Sequence, residues 1–361
     1  MTTTATLQDA LRSCGARWSN EMPDRAMHFG DPEKEYHAAC QSAALFDFTR
    51  RVPLQLTGRD AAKFLNNFCT NKVKDLPVGQ GCEAFITNVK GRVLNHVFIF
   101  ADEDGIAIDA AEGTAESLVA HLDRYLITED VEIRRLDDTL GMLLITGPEA
   151  ADQLSRAGLA DQPTEPFRQT RTETGDIAVT LRRIDLFDRP GYVILADRSH
   201  LGVIWLRLID HGVQVAGDDV AEALRIEAGF PTYGRDISEE NLAQEVGRTE
   251  QAICFTKGCY LGQEPIARLD ALGHTNRELR GLRLLSGPIP EAGSPVWVAD
   301  HPDPVGHVSS AAWSYEAGAP VALALLRQAA CTPGTTVAVD VHETPTAAQV
   351  FWPTLRSVEA R

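Results

Sequence analysis

The chain has 361 residues, 44% of them hydrophobic and 24% charged, which is enough for two or three packed domains without disulfides or metals to staple them. Its net charge of −17 argues against a broad face for nucleic acid backbones or anionic membranes. The seven cysteines are odd in number and form no C-x-x-C pair, so they make a poor disulfide framework and a poor zinc site and fit a reducing compartment.

The opening residues M-T-T-T-A-T-L-Q-D-A lack the basic region and apolar stretch of a signal peptide. No apolar run approaches the roughly 18 residues a membrane span needs. The expectation is a cytoplasmic protein with no membrane contact and no direct nucleic acid contact.

Residues 1–50 are a mixed, polar lead-in that ends on Ala43 to Asp47. Val52, Leu54 and Leu56 alternate as in a half-buried strand. Gly58-Arg59-Asp60 then gives a turn and a helix cap, with Phe64, Leu65 and Phe68 following at helical spacing. Glu83 to Thr87 and Val93 to Phe100 read as strands, with Gly91 in the connection. In the second strand Val93, Val97 and Ile99 point one way and Leu94, Phe98 and Phe100 the other. Both faces are apolar, so Asn95 and His96 must find partners inside the protein.

Leu118, Leu122, Tyr125 and Leu126 predict an amphipathic helix, and Val131 and Ile133 begin a strand. Leu140 to Thr146 predicts a strand and Gly147-Pro148 the start of a helix reaching about Ala157, with a loop over 160–175. Strands over Ile177 to Leu181 and Tyr192 to Ala196 precede a helix carrying Leu201, Ile204, Trp205 and Leu208. Another helix, capped by Asp218 or Asp219, runs to about Ala228. Irregular alternation of strands and helices favours α+β. After about residue 276 only short apolar runs punctuated by Gly and Pro remain, which predicts a small all-β barrel or sandwich.

The segment Lys257-Gly258-Cys259-Tyr260-Leu261-Gly262-Gln263-Glu264-Pro265 is the richest in chemistry. Gly258 and Gly262 permit backbone angles or close approaches that side chains forbid. Pro265 suits the first turn of a helix that would run on through Arg268. Cys259 then precedes a helix N-terminus and stands two residues from Lys257, and both features favour the thiolate. Tyr260 offers a ring and a phenol, and Gln263 and Glu264 can bond backbone donors or a polar ring. Cys254, five residues before Cys259, is either a resolving partner for it or an unconnected thiol. Two cysteines are too few for a closed metal or cluster site within one chain, and no metal is expected.

This run resembles the signature of the YgfZ family, a branch of the folate-binding glycine-cleavage T-protein superfamily. Leu224-Arg225-Ile226-Glu227-Ala228-Gly229-Phe230-Pro231-Thr232-Tyr233-Gly234, Ala44 to Asp47, Gly58 to Ala61, Thr70-Asn71, Gly306-His307-Val308 and Pro333-Gly334-Thr335 resemble further landmarks of that superfamily. The resemblance implies an interleaved two-part α+β core over residues 1–275 and a small C-terminal β-barrel over residues 276–361. It implies binding of tetrahydrofolate or a one-carbon derivative. For a YgfZ-type member it implies an accessory role in assembly or repair of iron–sulfur enzymes, including tRNA-modifying ones, through the motif cysteine. The partners would be a reduced folate and iron–sulfur enzymes or their assembly factors. The alternative is a folate-dependent aminomethyl or methyl transferase acting on a small amine. On either reading Cys259, Lys257 and His96 are the candidate catalytic residues. Asn95, Arg225, Glu227, Tyr233, Tyr260, Gln263, Glu264 and Arg268 are the candidate folate contacts.

Two positions depart from the aminomethyltransferase pattern. Asn95-His96 stands where those enzymes carry paired aspartates, and an Asn cannot ionise. Arg189 occupies the position of their pterin-gripping glutamate, leaving Asp185 or Asp188 as substitutes.

Overall fold

The computed structural model describes residues 5–20, 22–299 and 301–355. The first four residues of the leader reading and the last six of the expected barrel module lie outside them. The chain divides into two compact units: Met1–Ile86, Asn95–Ala221 and Gln251–Tyr260 form the first, and Thr87–Leu94, Glu222–Glu250 and Leu261–Arg361 the second.

The first unit holds two sheets. One has six strands in the order Gln169–Thr174, Ile177–Arg183, Gly191–Asp197, Leu140–Thr146, Ala44–Asp47, Gln214–Val215. The other has five, in the order Gly81–Thr87, Val93–Asp102, Gly105–Ala110, Val52–Thr57, Glu132–Arg135. The six-stranded sheet buries Leu143, Ile145, Leu181 and Ile194 against Trp205 and Leu208 of the helix Leu201–Asp210. This core forms because both partners present one apolar face: alternate residues on the strands and three- or four-residue spacing on the helix.

The strand Val93–Asp102 is buried along nearly its whole length, as its two apolar faces predicted. The helices Ala61–Asn66, Ala115–Asp123 and Ala150–Arg156 form in the expected regions, but the first two end before Phe68 and before Tyr125 and Leu126, and the third opens at Ala150 rather than at Gly147-Pro148. The helix Asp218–Glu227 begins at Asp218 itself, whose carboxylate takes a two-point bond from Arg50 at 2.8 and 2.7 Å.

Two features of this unit differ from the sequence expectation. Gln169–Thr174 is a strand rather than loop: its polar residues suit the sheet's outer edge, where one side faces water. The lead-in contains the helix Pro32–Gln41, started by Asp31, whose carboxylate accepts the Lys34 N–H at 3.1 Å, with proline at the opening position.

In the second unit the alternative between barrel and sandwich resolves to a closed barrel. Its strands run in the order Arg277–Leu284, Ala319–Arg327, Gly306–Ser314, Pro295–Trp297, Thr336–Val341, Thr344–Phe351. Leu282, Val296, Leu326, Val339 and Val350 fill its interior. Closure leaves no free sheet edge. The fold is therefore α+β with a C-terminal six-stranded barrel. Among the described residues no helix is long and apolar enough to cross a membrane.

Candidate functional site

The buried strand Val93–Asp102 carries the first candidates. Side chains alternate along a strand, so the neighbours Asn95 and His96 face opposite ways. His96, 4% exposed, meets fully buried Glu83 of the adjacent strand: Nε2 to Oε1 is 2.7 Å. The rings of Phe85 and Phe98 flank the imidazole at 5.0 and 5.9 Å. Asn95 donates through Nδ2 to the Thr114 hydroxyl at 2.6 Å, while its Oδ1 is buried with no donor among the described residues.

More buried charge surrounds Phe98 and Phe100. The Arg51 guanidinium lies 4.8 Å over the Phe98 ring and donates to the Asp109 carbonyl at 2.6 Å. Desolvation pulls its pKa down to about 10 against the opposing charges of Asp109 and Glu83. The Asp109 carboxylate pairs with Arg182, itself 4.7 Å over Phe100. Asp109 Oδ2 and Arg51 Nε are buried without partners among the described residues. Burying unpaired polar atoms costs about 1–3 kcal/mol each, so this group of side chains keeps hydrogen-bonding capacity that the fold does not use.

The segment Lys257–Glu264 divides at the boundary of the two units. Lys257 turns into the first unit, where its Nζ donates to the carbonyls of Asn66, Cys69 and Asn71 at 2.6, 2.6 and 2.7 Å. It also lies 4.8 Å over the ring of Tyr260, whose phenol burial pushes up to about 12, with Cys69 and Cys254 adding to the shift. Cys259 is exposed. In the second unit, Gly262 precedes the helix Gln263–Leu272 with φ +84°, and a Cβ there would lie 2.4 Å from the Asn88 carbonyl. Gly262 is thus required by angle and by space, whereas Gly258 has neither a left-handed angle nor a neighbour that would meet a Cβ. Pro265 sits in the helix's first turn as expected, Gln263 is partly buried, and Glu264 and Arg268 are exposed.

Arg225 belongs to a closed knot. Nε and Nη2 hold Glu222, Nη1 holds the Phe230 carbonyl and Asp236, and Nη2 also reaches Ser310. A guanidinium has five N–H groups, and all five are used here. This geometry gives Arg225 a structural task within the second unit and leaves it no donor for a folate. Glu227 is buried at the end of the same helix, and its carbonyl accepts the Leu355 N–H. The Tyr233 hydroxyl reaches the Val93 carbonyl at 3.3 Å, and burial, then Glu239, raises its pKa.

Arg189 is buried, bonding the Phe187 carbonyl and the Cys40 sulfur at 3.0 and 3.1 Å. Asp185 holds its own turn, accepting from Arg183 and from the Gly191 N–H, and Asp188 has a left-handed backbone at φ +54°. Among the described residues no three His, Cys, Asp or Glu side chains are placed to hold a metal ion.

Sequence reasoning named His96 but missed Glu83, Arg51 and Asp109. A charged residue opening an apolar strand was the available signal for Glu83, because a buried carboxylate needs a partner. Nothing in the sequence tells which strand supplies it.

Comparison with known proteins agrees with the fold. Residues 8–251 match the profile of the GCVT N-terminal domain, and residues 277–355 that of the glycine cleavage T-protein C-terminal barrel domain. A putative chloroplastic transferase of Arabidopsis thaliana is 26% identical over 86% of this chain and 71% of its own length. An aminomethyltransferase of Saccharopolyspora erythraea is 26% identical over 88% of this chain and 87% of its own. The crystal structure of the glycine cleavage system aminomethyltransferase T from Bartonella henselae superposes with a TM-score of 0.86 at 19% identity, over 95% of each chain.

Proposed function

Because the chain belongs to the glycine cleavage T-protein family, we propose that it transfers an aminomethyl or methyl group from a small amine to tetrahydrofolate. The observation that carries this reading is the buried 2.7 Å contact between His96 and Glu83. The folate supplies the amine nitrogen that takes up the one-carbon group: a C–N bond forms as the carbon's bond to the donor breaks, and the donor leaves with a proton. That nitrogen sheds a proton, and a proton acceptor near it must stay effective away from water.

The pair acts as one acceptor. An imidazole alone would become a buried cation on protonation, at a cost of several kcal/mol. Glu83 offsets that charge, so His96 with Glu83 does what a lone carboxylate would do. On the face of the sheet that carries His96, Asp109 Oδ2, which has no donor among the described residues, fits a ligand rich in N–H groups, as a reduced pterin is, and Arg51 Nε fits an acceptor. Phe85 and Phe98 keep water from the imidazole.

The test is turnover with tetrahydrofolate and a panel of aminomethyl and N-methyl donors, following methylene-tetrahydrofolate and ammonia from the first class and methyl-tetrahydrofolate from the second. Product formation that falls by at least about 100-fold in both His96→Ala and Glu83→Gln is expected for an acid–base pair. No product across the panel, or full activity in both variants, would reject the reading.

A second reading rests on the exposed Cys259 thiol: a YgfZ-type accessory protein for iron–sulfur enzymes, using a reduced folate and these enzymes or their assembly factors as partners. A deletion strain should then lose iron–sulfur enzyme activity. Rescue by a Cys259→Ala copy at equal expression would remove the thiol from that role.

A further inference from the structure

Lys257 poses a charge problem whose answer lies in the thiols around it. Its Nζ donates to three carbonyl oxygens at 2.6, 2.6 and 2.7 Å. A neutral amine has only two N–H groups, so three such bonds require the ammonium. The residue is 7% exposed. Carbonyl dipoles solvate the cation but carry no net negative charge. Burial lowers its pKa, and the thiols of Cys69, Cys254 and Cys82 act against that shift. Cys69 Sγ stands 3.9 Å from Nζ.

The three thiols are not equivalent. Cys69 is fully buried and engages the Asn71 carbonyl at 3.2 Å, and burial pushes its pKa up. Burial, reinforced by the charge of Cys69, does the same to Cys82. Cys254 is partly exposed, and its sulfur lies 3.5 Å from the Thr256 hydroxyl. Burial acts to raise its pKa. Bonds from that hydroxyl and from the Thr256 and Lys257 N–H groups, with the Lys257 charge, outweigh it, and the thiol ends below its ordinary value. Cys254 in turn acts on the phenol of Tyr260, whose pKa burial raises first and the charges of Cys69 and Cys254 raise further.

The backbone holds this arrangement in place. The Cys254 N–H donates to the Thr70 carbonyl at 2.9 Å, the Thr70 hydroxyl to the Ala252 carbonyl at 2.6 Å, and Asn71 Nδ2 to the Gln251 carbonyl at 3.1 Å. The segment carrying the thiol is thus pinned to residues 70–71, and the Asn71 carbonyl also helps to seat the ammonium. Cys259 lies five residues on and is exposed, and the Lys257 donors point to carbonyls.

We propose that Cys254, within the Cys69–Cys82–Lys257 cluster, is a nucleophilic thiolate that exchanges with low-molecular-weight disulfides. Its sulfur attacks one sulfur of the disulfide. The S–S bond of the reagent breaks as the protein's mixed disulfide forms, and the other half leaves as a thiolate. The disulfide is the oxidant, and no further reactant is needed. The inference stands apart from the transferase reading, because no folate takes part.

The full-length protein is incubated with glutathione disulfide, and separately with iodoacetamide, from about pH 6 to about pH 8. Modified cysteines are then quantified by peptide mass spectrometry. Cys254 should be labelled first, at least about threefold faster than Cys259 near pH 7, and should keep reacting as the pH is lowered. Thr256 is exposed, so Thr256→Val should fold normally. It should slow Cys254 and leave Cys259 unchanged, and Lys257→Gln should slow Cys254 further if it folds. Cys259 reacting first, or an unchanged Cys254 rate in Thr256→Val, would overturn the proposal.

Discussion

Each unit of the molecule contains a buried carboxylate–arginine pair, and the two pairs are finished differently. In the second unit Asp236 accepts from Arg225 and the Thr232 N–H through one oxygen, and from the Ser309 and Ser310 hydroxyls through the other. In the first unit Asp109 pairs with Arg182 through one oxygen, and the other has no donor among the described residues. Arg225 uses all its N–H groups, while Arg51 Nε has no acceptor among the described residues. A saturated network contributes rigidity. A network with unused buried atoms carries a standing cost that binding a complementary ligand removes. The difference marks the Asp236 pair as scaffold and the Asp109 pair as part of the candidate site; single unpaired atoms also occur at Trp205 and Gln244, so the contrast holds for the charged pairs only.

The largest effect is expected where the network is closed. Arg225→Met strands Asp236 as a buried charge and should cost about 3–5 kcal/mol. Urea unfolding followed by circular dichroism would measure it. Adding Asp236→Asn to that variant should recover part of the loss, because the two residues act as a unit. A loss below about 1 kcal/mol would show that saturation does not mark a structural role here.

A smaller effect, on turnover more than on folding, is expected at the open network. Glu83→Gln keeps the shape and a hydrogen bond to His96 but removes the charge that offsets an imidazolium. On the proposed reading kcat should fall by roughly 100-fold, about 2.7 kcal/mol, with KM for the amine much less affected. Loss of stability without loss of kcat in the folded fraction would place Glu83 with Asp236, among the scaffold.

Much of the fold was legible because burial imposes a period. The strand Val93–Asp102 announced itself by two apolar faces, and the barrel by short runs between Gly and Pro. The edge strand Gln169–Thr174 escaped because water satisfies one side of it, so nothing selects for alternation. The helix Pro32–Gln41 carried its signal, an Asp before a Pro, at a place where apolar content was too low to draw notice.

The candidate site was less legible. Its members meet through pairings that spacing does not encode: Glu83 with His96, Arg51 and Arg182 with Asp109. Within the motif, residue type was readable and direction was not. Lys257 was expected to activate Cys259, yet its ammonium goes to the carbonyls of residues 66–71. Gly262 needs its glycine, while the structure gives Gly258 no steric reason for one.

Asn95 gives the smallest expected effect on stability and the finest test of the comparison. Asn95→Leu is nearly isosteric. It loses the bond to Thr114, worth about 1 kcal/mol. It also removes the buried Oδ1 that has no donor, which offsets a similar amount. Thr114 keeps its own bond to the Ala111 carbonyl at 2.7 Å, so no new unpaired hydroxyl hydrogen is left behind. The net change in unfolding free energy should stay within about 1 kcal/mol. Calorimetric titration with tetrahydrofolate then decides what the oxygen is for. A fall in affinity of about 10-fold at unchanged stability would mean that Oδ1 is kept for an N–H donor of the ligand, at the cost of one hydrogen bond's worth of folding energy. Unchanged affinity would make Asn95 a tolerated core residue, and the unused atoms that matter would then be those of Arg51 and Asp109, on the face of the sheet that carries His96.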